Sequence, residues 1–174
     1  MTEVRQLADR SINIHRADDK EIQTLLSMWI RRASTLIDSN RGMWNIEQFT
    51  VENLKRKYGN PDYYIGCING KPFGGFILLE QDDLFWPGDR ASAFYFHKFV
   101  VDESFAGQSL SKVILDWVKD YGKQHRKEYI RIDFDEDREY LKTMYYENGF
   151  RKKGSISNED GRITATAEYC IPRE

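Results

Sequence analysis

Residues 94–117 read FYFHKFVVDESFAGQSLSKVILDW. The aromatic and β-branched run from Ser92 to Val101 predicts a buried central strand. Beyond it, Leu110, Val113, Ile114, Leu115, Trp117, Val118 and Tyr121 recur at helical spacing to about Arg126, so one face of that helix should pack on a sheet. Between the two lies Ser104-Phe105-Ala106-Gly107-Gln108-Ser109. A strand that feeds a helix through small residues presents backbone N–H groups and the positive end of the helix dipole to an anion, and a phosphate can come close to the main chain. Ser109 and Ser111 add hydroxyls, and Lys112 places a cation in the first turn, where it opposes the dipole unless an anion sits nearby. The same residues also suit an ordinary strand-to-helix turn closed by Gly107.

Outward from this segment the chain alternates strand and helix signals. Ile12 to Ala17 alternates apolar and polar residues and runs into Asp18-Asp19, a helix start. Ile22, Leu25, Leu26, Trp29, Ile30, Ala33 and Ile37 then mark one buried face of a helix over about Asp19 to Ser39, ended by Ser39-Asn40-Arg41-Gly42. A second, short helix begins at Thr50-Val51-Glu52-Asn53 and must stop by Gly59-Asn60-Pro61. Tyr63 to Ile68 and Lys71 to Glu80 read as strands joined by Asn69-Gly70, the strongest short hairpin signal, so they should pair antiparallel. After the helix behind the central strand come a strand at Tyr129 to Phe134 and a short helix at Glu139 to Asn148. Two strands follow, Phe150 to Ile156 and Arg162 to Ile171. The order β, α, α, β, β, β, α, β, α, β, β predicts one mixed α/β domain over residues 12–174, preceded by an extension over 1–11.

Composition narrows the function classes. The 174 residues carry 40% hydrophobic and 14% aromatic side chains, enough for one substantial core. The 26 basic and 28 acidic residues leave a formal net charge of -2, so no overall field favours nucleic acid or an anionic membrane. Met1 to Ser11 has no apolar core of the signal-peptide kind, and the longest apolar stretch, Phe73 to Leu79, is far short of the ~20 residues that cross a bilayer as a helix. A cytoplasmic, soluble protein is expected. Cys67 and Cys170 lie far apart in strand-like runs and fit reduced thiols. His15, His97 and His125 show no ligand spacing, so no metal is expected.

The whole of Ile12 to Ile171 resembles the GNAT superfamily of N-acetyltransferases, in element order and in two motifs. In that family the central strand ends in an apolar triplet, here Phe99-Val100-Val101, followed by a loop R/Q-x-x-G-x-G/A whose backbone holds the pyrophosphate of coenzyme A. The loop here reads Ala106-Gly107-Gln108-Ser109-Leu110-Ser111, with alanine in place of Arg or Gln and serines in place of both later glycines. Tyr145-Tyr146-Glu147-Asn148-Gly149-Phe150 matches the family's Y-x-x-x-G-F motif, and the family's Asn three residues before Leu141 is Arg138, a side chain able to reach a phosphate. Trp44, Phe85-Trp86 and Tyr95-Phe96-His97-Lys98-Phe99-Val100-Val101 are similar to a bacterial subgroup with a Y-L-H-R-L-A-V-like strand. Arylalkylamine N-acetyltransferases, more distantly similar, carry two His two apart where Tyr95 and His97 stand.

The resemblance implies a GNAT fold with a mixed, mostly antiparallel sheet of six to seven strands flanked by about four helices. It also implies acetyl transfer from acetyl-CoA to a primary amine of a small molecule or peptide by direct attack in a ternary complex. Homodimers are frequent in the family. Tyr145 is then the general acid toward the leaving thiolate, and His97 the base or, alternatively, a satisfied core histidine. Period-two alternation would put Tyr95, His97, Phe99 and Val101 on one strand face, while backbone N–H groups around Phe99 to Val101 would polarise the thioester carbonyl. Tyr145 also suits core packing, and Trp44 and Tyr95 suit either an acceptor pocket or the core. Asp133, Asp135, Glu136 and Asp137 read as a solvated loop or as an attractor of a cationic amine. The departures at Ala106, Ser109 and Ser111 leave open a second class, a GNAT-fold sensor that binds acyl-CoA without turnover.

Overall fold

A computed structural model describes residues 10–39 and 44–173. The 1–9 part of the expected extension and the Asn40-Arg41-Gly42 helix stop lie outside the described residues. Strand β1 (Ile12–Arg16) leads into helix α1 (Asp19–Asp38), and α2 spans Val51–Tyr58. Strands β2 (Asp62–Ile68), β3 (Lys71–Leu79) and β4 (Ala93–Val101) follow, then α3 (Leu110–Gln124) and β5 (Tyr129–Asp135). The chain closes with α4 (Glu139–Glu147), β6 (Arg151–Ser157) and β7 (Ile163–Cys170). Each element lies within one or two residues of its sequence expectation. Two short 3-10 turns, Ile46–Gln48 and Glu103–Phe105, had not been expected. They form because the side chains of Asn45 and Asp102 accept hydrogen bonds from Glu47 N and Ser104 N, both at 3.0 Å.

The seven strands make one sheet in the order β1-β2-β3-β4-β5-β7-β6. All neighbours are antiparallel except β4 and β5. Asn69 and Gly70 take positive φ, 49° and 78°, as the tight β2–β3 hairpin requires. Helix α1 starts on a capping box: Glu21 N donates to Asp18 at 2.8 Å, and Asp18 N donates to Glu21 at 3.0 Å. Its fully buried Leu25, Trp29 and Ala33 pack with Leu54 of α2 on one face of the sheet. Leu110, Ile114, Leu115 and Val118 of α3 and Tyr145 of α4 pack on the other. Burying a large apolar side chain contributes about 1.5–3 kcal/mol, so these two stripes hold the three layers together.

Two features of β4 shape the site. The parallel pairing with β5 runs only from Ala93↔Tyr129 to Phe96↔Ile132, after which the two strands separate. A bulge sits just beyond: Ile77 faces His97 while Gly75 faces Val100, so β4 carries one residue more than β3, and Lys98 takes φ 52°. That left-handed backbone is held by a hydrogen bond of 2.6 Å from the buried Trp29 indole to the Lys98 carbonyl. The bulge corrects the expected alternation. Tyr95 and Val100 belong to the α1-facing core, whereas Phe99 and Val101 pack with Phe94 and Phe96 against the α3 side. Gly74 lets β3 follow the bulge, because a Cβ there would run into the Val100 carbonyl oxygen. Gly74→Ala is expected to lose about 1–3 kcal/mol, read as a lowered urea midpoint.

Candidate active site

Where β4 and β5 part, a cavity of about 300 Å³ opens. His97, Lys98 and Phe99 line it from β4, Asp133 and Asp135 from β5, and Tyr145 from α4. Trp44, Lys57 and Tyr58 close the opposite wall. A second groove, lined by Val100, Val101, Ser111, Arg138 and Met144, shares Trp44, Phe99 and Leu141 with the first. The two therefore adjoin at the bulge.

His97 is buried, with Asp82 Oδ2 at 2.9 Å from Nε2 and Asp133 Oδ1 at 2.8 Å from Nδ1. Asp82 comes from the loop after β3, and its other oxygen takes N–H bonds from Leu84 and Phe85 at 3.0 and 3.2 Å. Asp133 stands next to His97 because it follows the last paired position of β5. The Asp133 contact is close but poorly aligned, and its buried Oδ1 has no hydrogen bond of good geometry among the described residues. Burial works against charge on the ring, but Asp133 and then Asp82 outweigh it and raise the His97 pKa to about 9. For Asp82, burial is likewise outweighed, by His97 and the two backbone N–H groups, and its pKa lies below the usual carboxylate value. The ring therefore carries both protons at neutral pH, unlike the proton acceptor that the family resemblance implied.

Tyr145 is buried among Phe134 and Phe150, with ring centroids at 5.3 and 5.6 Å. Burial, followed by the Asp133 charge, pushes its phenol pKa well up, so it stays protonated. Lys98 points its ammonium at the faces of Trp44 (5.1 Å) and Phe49 (5.6 Å). Loss of solvent and repulsion from Lys57, only partly offset by Asp133, lower its pKa to about 7. Neither Lys98 nor the Asp82 partner of His97 was singled out from the sequence.

Other expected site residues are dispersed. Tyr95 does not line the cavity; its hydroxyl takes a hydrogen bond of 3.2 Å from Arg131, which corrects its assignment to an acceptor pocket. Leu110 is core, so only its backbone faces the loop. The Lys112 ammonium turns along the helix to Asp116 at 2.5 Å, away from the role of phosphate contact. Gln108 accepts a hydrogen bond of 2.6 Å from Arg10. Arg138 stands at the N-terminus of α4, 3.8 Å from Asp135, and lines the second groove with Ser111.

The loop itself fits an anion. Gly107 and Ser109 take φ 75° and 57°, and no side chain caps the first turn of α3, which leaves its N–H groups to an external acceptor. Ala106 and Gly107 precede that turn without large side chains.

A model of the acetyltransferase (GNAT) family matches residues 29–150, which include the bulge, the loop and Tyr145. The chain belongs to the GNAT acetyltransferase family. Solved structures agree on the fold. The ribosomal-protein-S18-alanine N-acetyltransferase of Escherichia coli superimposes with TM-score 0.68 at 13% identity, covering 94% of this chain and 96% of that one. A GNAT-family acetyltransferase of Listeria monocytogenes gives 0.69 at 20% identity, covering 90% and 94%. The IAA acetyltransferase of Bacillus cereus gives 0.64 at 13% identity, covering 92% and 100%. No curated protein sequence matches this GNAT chain. No described helix is long and apolar enough to cross a membrane.

Proposed function

We propose that this chain transfers an acetyl group from acetyl-CoA to the primary amine of a small molecule by direct attack in a ternary complex. The observation that carries this reading is the meeting of the anion-ready groove and the charged cavity at the β4 bulge, beside Tyr145. Gly107, Ser109, Ser111 and Arg138 would hold the phosphates of coenzyme A, whose thioester supplies the acetyl group. Val100 and Val101 line the groove toward the bulge. Beyond Phe96 the edge of β4 is released from the β5 ladder, so backbone N–H groups around Phe99 can polarise a carbonyl.

The acceptor enters as an ammonium and must lose a proton before its nitrogen attacks. His97 is a poor acceptor for that proton near neutral pH, since both its nitrogens already face carboxylates. In this reading the Asp133 carboxylate, which lines the cavity beside His97, takes the proton directly or through water. The C–N bond forms as the C–S bond breaks, and the Tyr145 hydroxyl donates to the departing sulfur. His97 acts by holding Asp133 and Asp82 in place.

Free-thiol release from acetyl-CoA across a panel of primary amines tests the proposal, with a thermal shift on adding coenzyme A as the companion measurement. Thiol release that depends on an amine is the expected result. A coenzyme A shift with no release for any amine would instead favour the sensor reading, for which the Cβ of Ser109 at a left-handed position is the motive. No shift and no release would remove both.

A further inference from the structure

Most of the charges around the cavity pair among themselves, His97 with Asp82 and Asp133, and Asp135 with Arg138. Asp82 is saturated: one oxygen holds two backbone N–H groups and the other faces His97. Asp160 and Arg162, which line the outer side, pair with each other at 2.6 Å. Lys57 and Lys98 remain. Neither has a carboxylate within ion-pair distance among the described residues, and Lys98 meets only the Trp44 and Phe49 ring faces. Loss of solvent lowers the pKa of both, with repulsion from Lys57 adding to it at Lys98, and the field of Asp133 only partly offsets this at each. Two lysines without an ion-pair partner facing one cavity leave a place that an anion would fill, and an anion there would hold Lys98 in its charged form. Asp133, whose Oδ1 faces His97 Nδ1 at 2.8 Å, puts a carboxylate on the same cavity, next to Tyr145.

We infer that the acceptor carries its own carboxylate: it is an amino acid or a similar small amino-carboxylate, with its ammonium toward Asp133 and its carboxylate toward Lys57 and Lys98. This rests on the reading of the cavity as the acceptor site. A zwitterion meets the two lysines and the Asp133 carboxylate at once. A polyamine or other polycation would add positive charge beside Lys57, Lys98 and the protonated His97, and a simple monoamine would leave the two lysines unrelieved. The cavity, about 300 Å³, suits a molecule of amino-acid size.

Matched pairs that differ only in the carboxylate test the inference: tyrosine against tyramine, phenylalanine against phenethylamine, with spermidine as the polycation. Two readouts are taken on the full chain, kcat/KM from thiol release with acetyl-CoA, and calorimetric binding of the same compounds in the presence of coenzyme A. The amino acid of each pair should exceed its decarboxylated partner by about tenfold or more, the scale of a charge-assisted contact. That ratio should fall toward one in Lys98→Met and in Lys57→Met. The second variant sits on α2, away from the β4 bulge that the Trp29 indole holds at Lys98, and keeps the test open should the first fold poorly. Preference for tyramine or spermidine, or a ratio unchanged in both variants, overturns the inference while leaving acetyl transfer intact. Selective binding of amino acids with no thiol release supports the inference and removes the transferase reading. Absence of both binding and release overturns the two together.

Discussion

Asp82→Ala is expected to destabilise the fold by about 3–5 kcal/mol at pH 6, the cost of leaving a buried charge without its partner. The physical cause is concentrated in one place. His97 is buried between Asp82 and Asp133, and its charge is tolerated only because both carboxylates face it. Asp82 also ties the 82–86 turn to β4 through Leu84 N and Phe85 N, so alanine removes those bonds as well. Asp82→Asn keeps an oxygen for the backbone N–H groups and removes only the charge, and should cost roughly half as much. Their pH dependence separates the two contributions. A histidine whose folded pKa lies near 9 stabilises the fold fully below its unfolded value near 6.5, and that contribution disappears as pH rises through 9. It amounts to roughly 3 kcal/mol. Urea unfolding at pH 6 and at pH 9.5 should therefore show the gap between wild type and Asp82→Asn narrowing at the higher pH. A gap that stays constant would mean that His97 is neutral in the fold and would return it to the list of candidate bases.

Much of the fold was legible because its cues are local. Asn69-Gly70 dictates a hairpin, Asp18 with Glu21 dictates a helix start, and the apolar spacing of Leu110 to Tyr121 dictates a helix that packs on a sheet. What escaped was non-local. The bulge at Lys98 depends on the Trp29 indole, 69 positions away in sequence, and on Gly74 giving room to Val100. One extra residue there reverses the facing of Phe99 and Val101, which strict alternation cannot foresee. His97 was found as a candidate, but its chemistry is set by Asp82 and Asp133. These come from a loop and from a neighbouring strand, and no spacing rule links them. A parallel pairing of Phe96 with Ile132 would have placed Asp133 beside His97, had the register been known. The signal for Asp82 was weaker still, one carboxylate in an acidic turn. Lys98 carries no sequence signal of its own; its position on the cavity wall follows only from the bulge.

The loop before α3 keeps its backbone shape through its departures from the family pattern. Serine at position 109 replaces a glycine of the family pattern, yet the backbone still adopts φ 57°, a conformation that costs an L-residue about 1–2 kcal/mol. The chain keeps the loop's shape at that cost, and helix α3 keeps a first turn without a side-chain cap. Ala106 removes a side chain but no backbone donor, and Arg138 brings a guanidinium to the same groove from α4.

Tyr145→Phe carries the largest expected effect on catalysis, a fall in kcat of about 10²–10⁴-fold, the range for loss of a positioned proton donor. The substitution removes one oxygen and leaves the ring between Phe134 and Phe150, so packing, and with it the unfolding midpoint, should change little. Coenzyme A affinity should also stay nearly constant, since the residues proposed to hold its phosphates lie on the α3 loop and at Arg138. The pattern of lowered kcat, unchanged coenzyme A binding and unchanged stability distinguishes a donor to the leaving sulfur from a core tyrosine, which would move stability first. The raised phenol pKa sharpens the role: Tyr145 does not ionise in the working range, so the limb of the pH–rate profile above neutrality must come from another group. In wild type, that limb should therefore survive in shape in Tyr145→Phe while its height drops. Turnover equal to wild type would place the donor elsewhere and leave Tyr145 as packing for the wall of the cavity.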